Sequence, residues 1–383
     1  MSQSWLRANV FGCFVAVAFV AVGCRSQSTT NNFQSDIQSD EAAMAYLHEI
    51  AGKRGGIGPR EAGSRGERRT GDWIENKLES FGYEVVVQPF EYVEFGYGDP
   101  VGTSRNYIAE KKGLQDKTIV IAAHYDSVGV GSRGAIDNGT GVAATMAIAQ
   151  NLQDVQTPFN VRFVLVGAEE VGLTGSQYYV QTAQASGGLD DVIGMINLDS
   201  VAGGDFVYVN SAFAYSPDEY YTSESMGIEG AAYNTKTVVR DRLLFLSANM
   251  DGQSPYQAPP PYEELSQFRN AAVSDFFSFA CAGIPIASVE STNYGISGIR
   301  GADGYSQTTN PAVWDCYDAE LKTSCDPIGE TKWGELWHSE FDTLETLESF
   351  FPGRIEQQLT NTVAIVTEFL TDDADWVAEI PQE

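Results

Sequence analysis

From Glu41 onward the chain alternates between amphipathic stretches and short, unbroken apolar runs. Glu41 to Ala51 and Glu67 to Phe81 carry apolar residues at helical spacing, the second after a Gly-rich turn, and Tyr83 to Phe90 reads as a strand. Thr118 to Ala123, Val161 to Val166, Val192 to Leu198 and Ile284 to Val289 are apolar without alternation, which predicts strands covered on both faces. Helices are predicted at Gly141 to Leu152 and Thr174 to Thr182, with a long closing helix between Leu344 and Leu370. Covered strands separated by helices predict a three-layer α/β/α fold around a mostly parallel, mixed central sheet. Around residues 201–265 the pattern weakens and three prolines occupy 259 to 261, so an elaborated insertion, a lobe or lid, is expected there.

Ahead of this body, Arg7 precedes a short apolar run from Phe11 to Val22, and Ala21-Val22-Gly23 places small residues before Cys24. A membrane-spanning helix needs roughly 20 apolar residues, so residues 1–23 read as a signal peptide. The segment resembles a bacterial lipoprotein signal, which implies that Cys24 becomes the lipid-bearing first residue of the mature chain. An ordinary cleaved signal with a chance cysteine is the alternative, and either reading exports the chain to the cell envelope. Residues 24–40 are rich in Ser, Thr, Asn, Gln and Asp and read as a flexible tether, leaving 41–383 as the folded domain. With 23 Lys and Arg against 52 Asp and Glu, the formal charge of −29 excludes nucleic acid as a partner, which requires clustered positive charge. Such acidity serves solubility or attracts basic substrates. Beyond Cys13 and Cys24, Cys281 sits in an apolar context that predicts a buried, inert thiol, while Cys316 and Cys325 share a polar loop that they could staple.

In open parallel sheets ligands bind beyond the carboxyl ends of strands, so residues just after each apolar run matter most. His124-Tyr125-Asp126 follow the first run, Gly167-Ala168-Glu169-Glu170 the second and Asp199 the third; Asp137 precedes the helix at Gly141, and His338 lies near the closing helix. Two imidazoles and three carboxylates form a donor set suited to a pair of zinc ions, with one carboxylate bridging. His124 and Asp126 are two apart, so in extended geometry both point to one face and Asp126 can hold the second imidazole nitrogen. Each residue also has a structural alternative: Asp137 as a helix cap, Asp199 as an Asx turn, Glu169-Glu170 as a solvated turn. These alternatives weaken jointly, because the chain holds only three His and two of them fall in the series. His48, alone in a helix, is read as structural.

The segments HYDS, GAIDNGTG, GAEEVGLTGSQYYV, INLDS and WHSEFDT, with GPREAGSRGERRTGDWIENKLESFGYEV and SDFFSFACAGIPIASVES, resemble the co-catalytic di-zinc aminopeptidase family, which also includes glutamate carboxypeptidases and glutaminyl cyclases. The resemblance covers most of residues 41 to 371. It implies one zinc on His124 and Asp199, the other on Glu170 and His338, Asp137 bridging, Glu169 as general base, and a cis Asp137-Asn138 peptide. In several relatives a Tyr that helps stabilise the oxyanion precedes the last His; here Trp337 stands in that place. Tyr294 is a candidate donor or a packed aromatic, and Glu290 could meet a substrate ammonium or be a strand-end acid.

The expected function is therefore hydrolysis of the N-terminal residue of peptides with a free amino terminus. The alternatives are a glutaminyl cyclase, a carboxypeptidase, which would need basic residues that are sparse in these loops, and an inactive lipoprotein binding module, which would typically lack some of the metal ligands.

Overall fold

The computed structural model describes residues 38–94, 99–129, 131–212, 226–228, 233–260, 273–297, 304–326 and 328–372. The expected signal peptide, Cys24 and residues 25–37 of the tether lie outside them, as does part of 201–265. The first helix, α1 (Gln38–Ala51), begins inside the stretch expected to be tether.

Seven strands form one sheet in the order β1-β2-β4-β3-β5-β7-β6. They are β1 (Val85–Tyr92), β2 (Gly102–Lys111), β3 (Gln115–His124), β4 (Phe159–Val166), β5 (Val192–Leu198), β6 (Phe206–Asn210) and β7 (Ile286–Thr292). The central β4-β3-β5-β7 are mutually parallel; β1, β2 and β6 join antiparallel at the edges. The apolar runs read as covered strands are these four central ones. The pattern does not predict β2 and β6: β2 carries polar and charged side chains among its apolar ones, and β6 is only five residues long.

On one face, α1, α2 (Arg65–Ser80), α3 (Gly141–Leu152), α5 (Val238–Asn249) and α8 (Arg354–Thr371) pack into a common core; α4 (Thr174–Ala185) and α6 (Phe276–Cys281) cover the other. In α8 the buried Ile355, Leu359, Val363, Val366 and Leu370 recur every three or four residues and form its core-facing stripe. The single closing helix expected from the pattern is two, α7 (Leu344–Phe350) and α8. Pro352 cannot continue a helix, and Gly353 takes φ 76°, a left-handed conformation that glycine adopts without steric cost. Within 201–265 the described residues include β6 and α5.

Cys316 and Cys325 form a disulfide beside the two-residue strands β8 (Tyr317–Asp318) and β9 (Thr323–Ser324), and Cys281 is buried in α6, outside that disulfide. Among the described residues no helix is long and apolar enough to cross a membrane. For the site, the consequence is that three adjacent parallel strands, β4, β3 and β5, end on the same edge of the sheet.

Candidate metal centre

His124 is the last residue of β3, Glu169 and Glu170 follow β4, and Asp199 follows β5, so parallel pairing alone delivers them to one place. Asp137 arrives from an irregular turn over Ala135–Thr140 in which the Asp137-Asn138 peptide is cis, as expected. His338 comes from the loop before α7 with φ 55°. The structure brings together all of the predicted site residues, although they span the chain from 124 to 338.

Asp137 stands at the centre. Its Oδ1 lies 3.2 Å from His124 Nε2 and its Oδ2 lies 3.0 Å from His338 Nε2, so each oxygen faces a different imidazole. His124 Nε2 also meets Asp199 Oδ1 at 3.3 Å, and His338 Nε2 meets Glu170 Oε2 at 3.1 Å. Two triplets result, His124/Asp137/Asp199 and Asp137/Glu170/His338, with all ligand atoms of each triplet within 4.8 Å of one another. A neutral imidazole has one N–H and cannot serve two carboxylate oxygens through a single nitrogen. A cation with ligand bonds of about 2.0–2.2 Å would take the three converging lone pairs of each triplet at once. The donors therefore fit two zinc ions in kind, number and spacing.

The electrostatics point the same way. Burial works to raise the Asp137 carboxyl, but hydrogen bonds from both imidazoles hold it below the usual carboxylate range. Burial, then the Asp137 charge, pushes Glu170 up to about 7. Burial would depress His338, yet its contacts with Asp137 and Glu170 push it up to about 12. Burial also raises Glu169 well above the normal range; His124 opposes this, while Glu170 and Asp275 add to it. So many buried acids around two imidazoles make a basin that draws positive charge, and without metal it takes up protons.

Asp126 faces the second imidazole nitrogen, its Oδ1 3.5 Å from His124 Nδ1. It also does a further job: the backbone N–H of Glu169 donates to Oδ1 at 3.0 Å and that of Glu170 to Oδ2 at 3.1 Å. Asp126 thus hangs both glutamates from one fully buried carboxylate. The Glu169 side chain makes no hydrogen bond to any described residue and lines the cavity, whereas Glu170 Oε1 accepts from the Val128 N–H at 3.0 Å.

Several supporting residues escaped the sequence reading. Asp342 accepts from the backbone N–H of Ile136 at 2.6 Å and of Asp137 at 3.3 Å, fixing the turn that carries Asp137. Buried Arg60 donates to the carbonyls of Tyr125, Arg133 and Gly134, tying the segment after His124 to the approach to Asp137. Asn138 accepts from Gly141 N–H and Ser200 N–H and donates to the Leu198 carbonyl. Ser274 Oγ donates to Asp199 Oδ2 at 2.7 Å. Arg60, Asn138, Ser274 and Asp342 all lie inside the quoted motifs, but a motif does not show which backbone groups its side chains will meet.

A cleft opens over this centre, and its wall includes Phe276, Glu290, Tyr305 and Trp337. The Trp337 indole N–H is buried and has no partner among the described residues. Tyr294, the candidate donor, has its hydroxyl engaged with Glu290, and its ring packs edge-on against Tyr208 at 4.9 Å between centroids.

Comparison with known proteins adds a family. The profile of "Peptidase family M28" matches residues 106–363, more than half of the chain. The alkaline phosphatase isozyme conversion protein of Escherichia coli (strain K12) is 24% identical over 80% of this chain and 84% of its own length. Leupeptin-inactivating enzyme 1 of Streptomyces exfoliatus is 33% identical over 44% of this chain, a match that takes in only 37% of that protein. Among solved structures, BSAP, a zinc aminopeptidase from Bacillus subtilis, superposes with TM-score 0.55 at 18% identity, covering 88% of this chain and 96% of that one. A Bacteroides thetaiotaomicron glutaminyl cyclase reaches TM-score 0.57 at 17% identity, over 87% and 98%. At these identities the structural likeness concerns the fold.

Proposed function

The chain belongs to peptidase family M28, and from that premise and the two triplets around Asp137 we propose that it is a di-zinc aminopeptidase removing N-terminal residues from peptides with a free amino terminus. The observation that carries the reading is the division of Asp137, one oxygen to each imidazole, with the free carboxylate of Glu169 beside it. His124 and Asp199 would hold one zinc, Glu170 and His338 the other, with Asp137 shared. Bound zinc supplies Lewis acidity and lowers the pKa of its water from about 15.7 to about 7.

The chain's own part is to place and move a proton. Positive charge in the basin returns Glu169 to the ionised form, the form in which it can accept a proton from the attacking water. The same carboxylate then delivers that proton to the leaving amine. Because Glu169 is hung from Asp126 by its backbone and its side chain makes no hydrogen bond to any described residue, its oxygens are free for this traffic. No lysine or arginine occurs among the described residues lining the cleft, which disfavours a carboxypeptidase and suits a substrate that presents an ammonium. Export is proposed from the N-terminal signal, with a lipid on Cys24 as the membrane anchor.

The test is a panel of aminoacyl arylamides, N-acetylated controls and N-terminal glutaminyl peptides, assayed with and without zinc chelation. Cleavage of free but not blocked amines, lost on chelation, is expected. Cyclisation of the glutaminyl peptides without arylamide cleavage would replace the reading with a cyclase.

A further inference from the structure

One carboxylate in the wall of the cleft has no part in the assignments above. Glu290 stands on β7 two residues beyond Ser288, so both side chains leave the same face of the strand, and both line the cleft. Asn210 Nδ2, at the end of β6, and the Tyr294 hydroxyl both donate to a single oxygen, Oε1. Among the described residues nothing donates to Oε2. Glu290 is only 6% exposed, and burial pushes its pKa up to about 7. A carboxylate removed from water to this degree is costly unless a cation meets it. Here two neutral donors orient it, one oxygen is left over, and the cleft holds no lysine or arginine among the described residues.

Two cations on a peptide's first residue could meet that oxygen, its α-ammonium or the head of a basic side chain. The α-ammonium is bonded to the carbon next to the scissile carbonyl, so it must sit close to Glu169 and the metal ligands. Glu290 follows Val289, whose carbonyl accepts from the Asp199 N–H, so it stands beside that ligand, but it hydrogen-bonds to none of these groups; the strand order puts Asp199 between it and His124 and Glu169, and its anchors come from β6 and from the loop after β7. The longer reach of a side chain suits that position. Phe276, Tyr305 and Trp337 border the same cleft, surfaces against which the aliphatic stem of lysine or arginine packs and near which its charge is favoured.

We propose that Glu290 is the specificity-determining residue of this site and that the enzyme acts on peptides whose first residue is lysine or arginine. The proposal rests on the aminopeptidase reading and names the substrate class of that same site. The formal charge of −29 adds long-range attraction for such cationic peptides.

The test compares zinc-loaded wild type with Glu290→Gln, whose amide oxygen still accepts from Asn210 and Tyr294, and with Glu290→Leu, each checked for folding by thermal melting. The readouts are kcat/KM for lysyl, arginyl and leucyl arylamides, and calorimetric binding of lysinamide and norleucinamide. Wild type is expected to favour lysyl and arginyl substrates, and Glu290→Gln to lower the lysyl-to-leucyl ratio by about thirtyfold or more, the cost of removing one partner of a desolvated ion pair. Lysinamide should bind wild type more tightly than norleucinamide and lose that advantage in both variants. A wild type that favours leucyl over lysyl and arginyl substrates, or a ratio unmoved by Glu290→Gln, overturns the proposal. If no free-amine arylamide is cleaved while lysinamide still binds through Glu290, the aminopeptidase reading falls and this assignment stands; if arylamides are cleaved with no cation preference in turnover or binding, the reverse holds.

Discussion

Replacing Asp126 by asparagine changes the suspension of the two glutamates while leaving its shape almost intact. The carboxylate accepts from Glu169 N–H at 3.0 Å and from Glu170 N–H at 3.1 Å, one oxygen each, in a fully buried position. Asparagine has one carbonyl oxygen, so whichever way its amide turns, an NH₂ group faces one of the two backbone donors. One hydrogen bond to a charged group is lost outright, worth about 1.5–3 kcal/mol, and the other weakens when its acceptor becomes neutral. Stability in urea at fixed zinc should therefore fall by about 2–4 kcal/mol. Because the displaced donors belong to the expected base and to a candidate ligand, zinc affinity or kcat should fall about 10- to 100-fold as well. Denaturation curves, metal content by mass spectrometry and arylamide kinetics on the same preparation read all three. If stability stays within about 0.5 kcal/mol, the range of an ordinary surface change, and kcat/KM within twofold, then Asp126 does not hold the pair as argued. Lost stability with zinc content and kcat untouched would make it a fold residue only.

Glu169→Gln should keep both zinc ions and lose about 10²- to 10⁴-fold in kcat, as expected of a general base; metal analysis beside kinetics decides, and an active variant removes the assignment. Glu170→Ala should instead lower the zinc content, since His338 is then left with Asp137 alone as its partner in the triplet; a full metal complement would contradict the ligand role. For the metal-free protein the pH dependence has a definite sign. Burial raises Glu170, Asp275 and Asp342 to about 7 in the folded state, against roughly 4 in the unfolded chain. The folded form then binds more protons, so its stability is fullest below about pH 4 and declines as pH climbs through about 7. Thermal melts in chelator should accordingly be lower at pH 8 than at pH 5, and a midpoint that rises across that interval contradicts the burial argument. Cys24→Ser should move the protein from the membrane fraction to the soluble envelope fraction; retention in the membrane would show that another feature anchors it.

Much of this protein is legible along the chain because the information is local. Strands covered on both faces, β3, β4, β5 and β7, announce themselves as unbroken apolar runs, and α3 begins and ends where the pattern places it. The residues immediately after those runs could be identified as a donor set, since parallel strands must deliver their carboxyl ends to one edge. The partly polar β2, the five-residue β6 and the short buried α6 lack such a signature. The hold of Asp126 on the Glu169 and Glu170 backbones and the roles of Asp342 and Arg60 could not be read, because their partners are backbone groups brought near only by folding: Asp342 lies 206 positions from the N–H it holds at Ile136. The same holds for Glu290. A glutamate at a strand end is ordinary in a sequence, and it becomes a buried acid with one oxygen unpaired among the described residues only when Asn210 and Tyr294 close on the other.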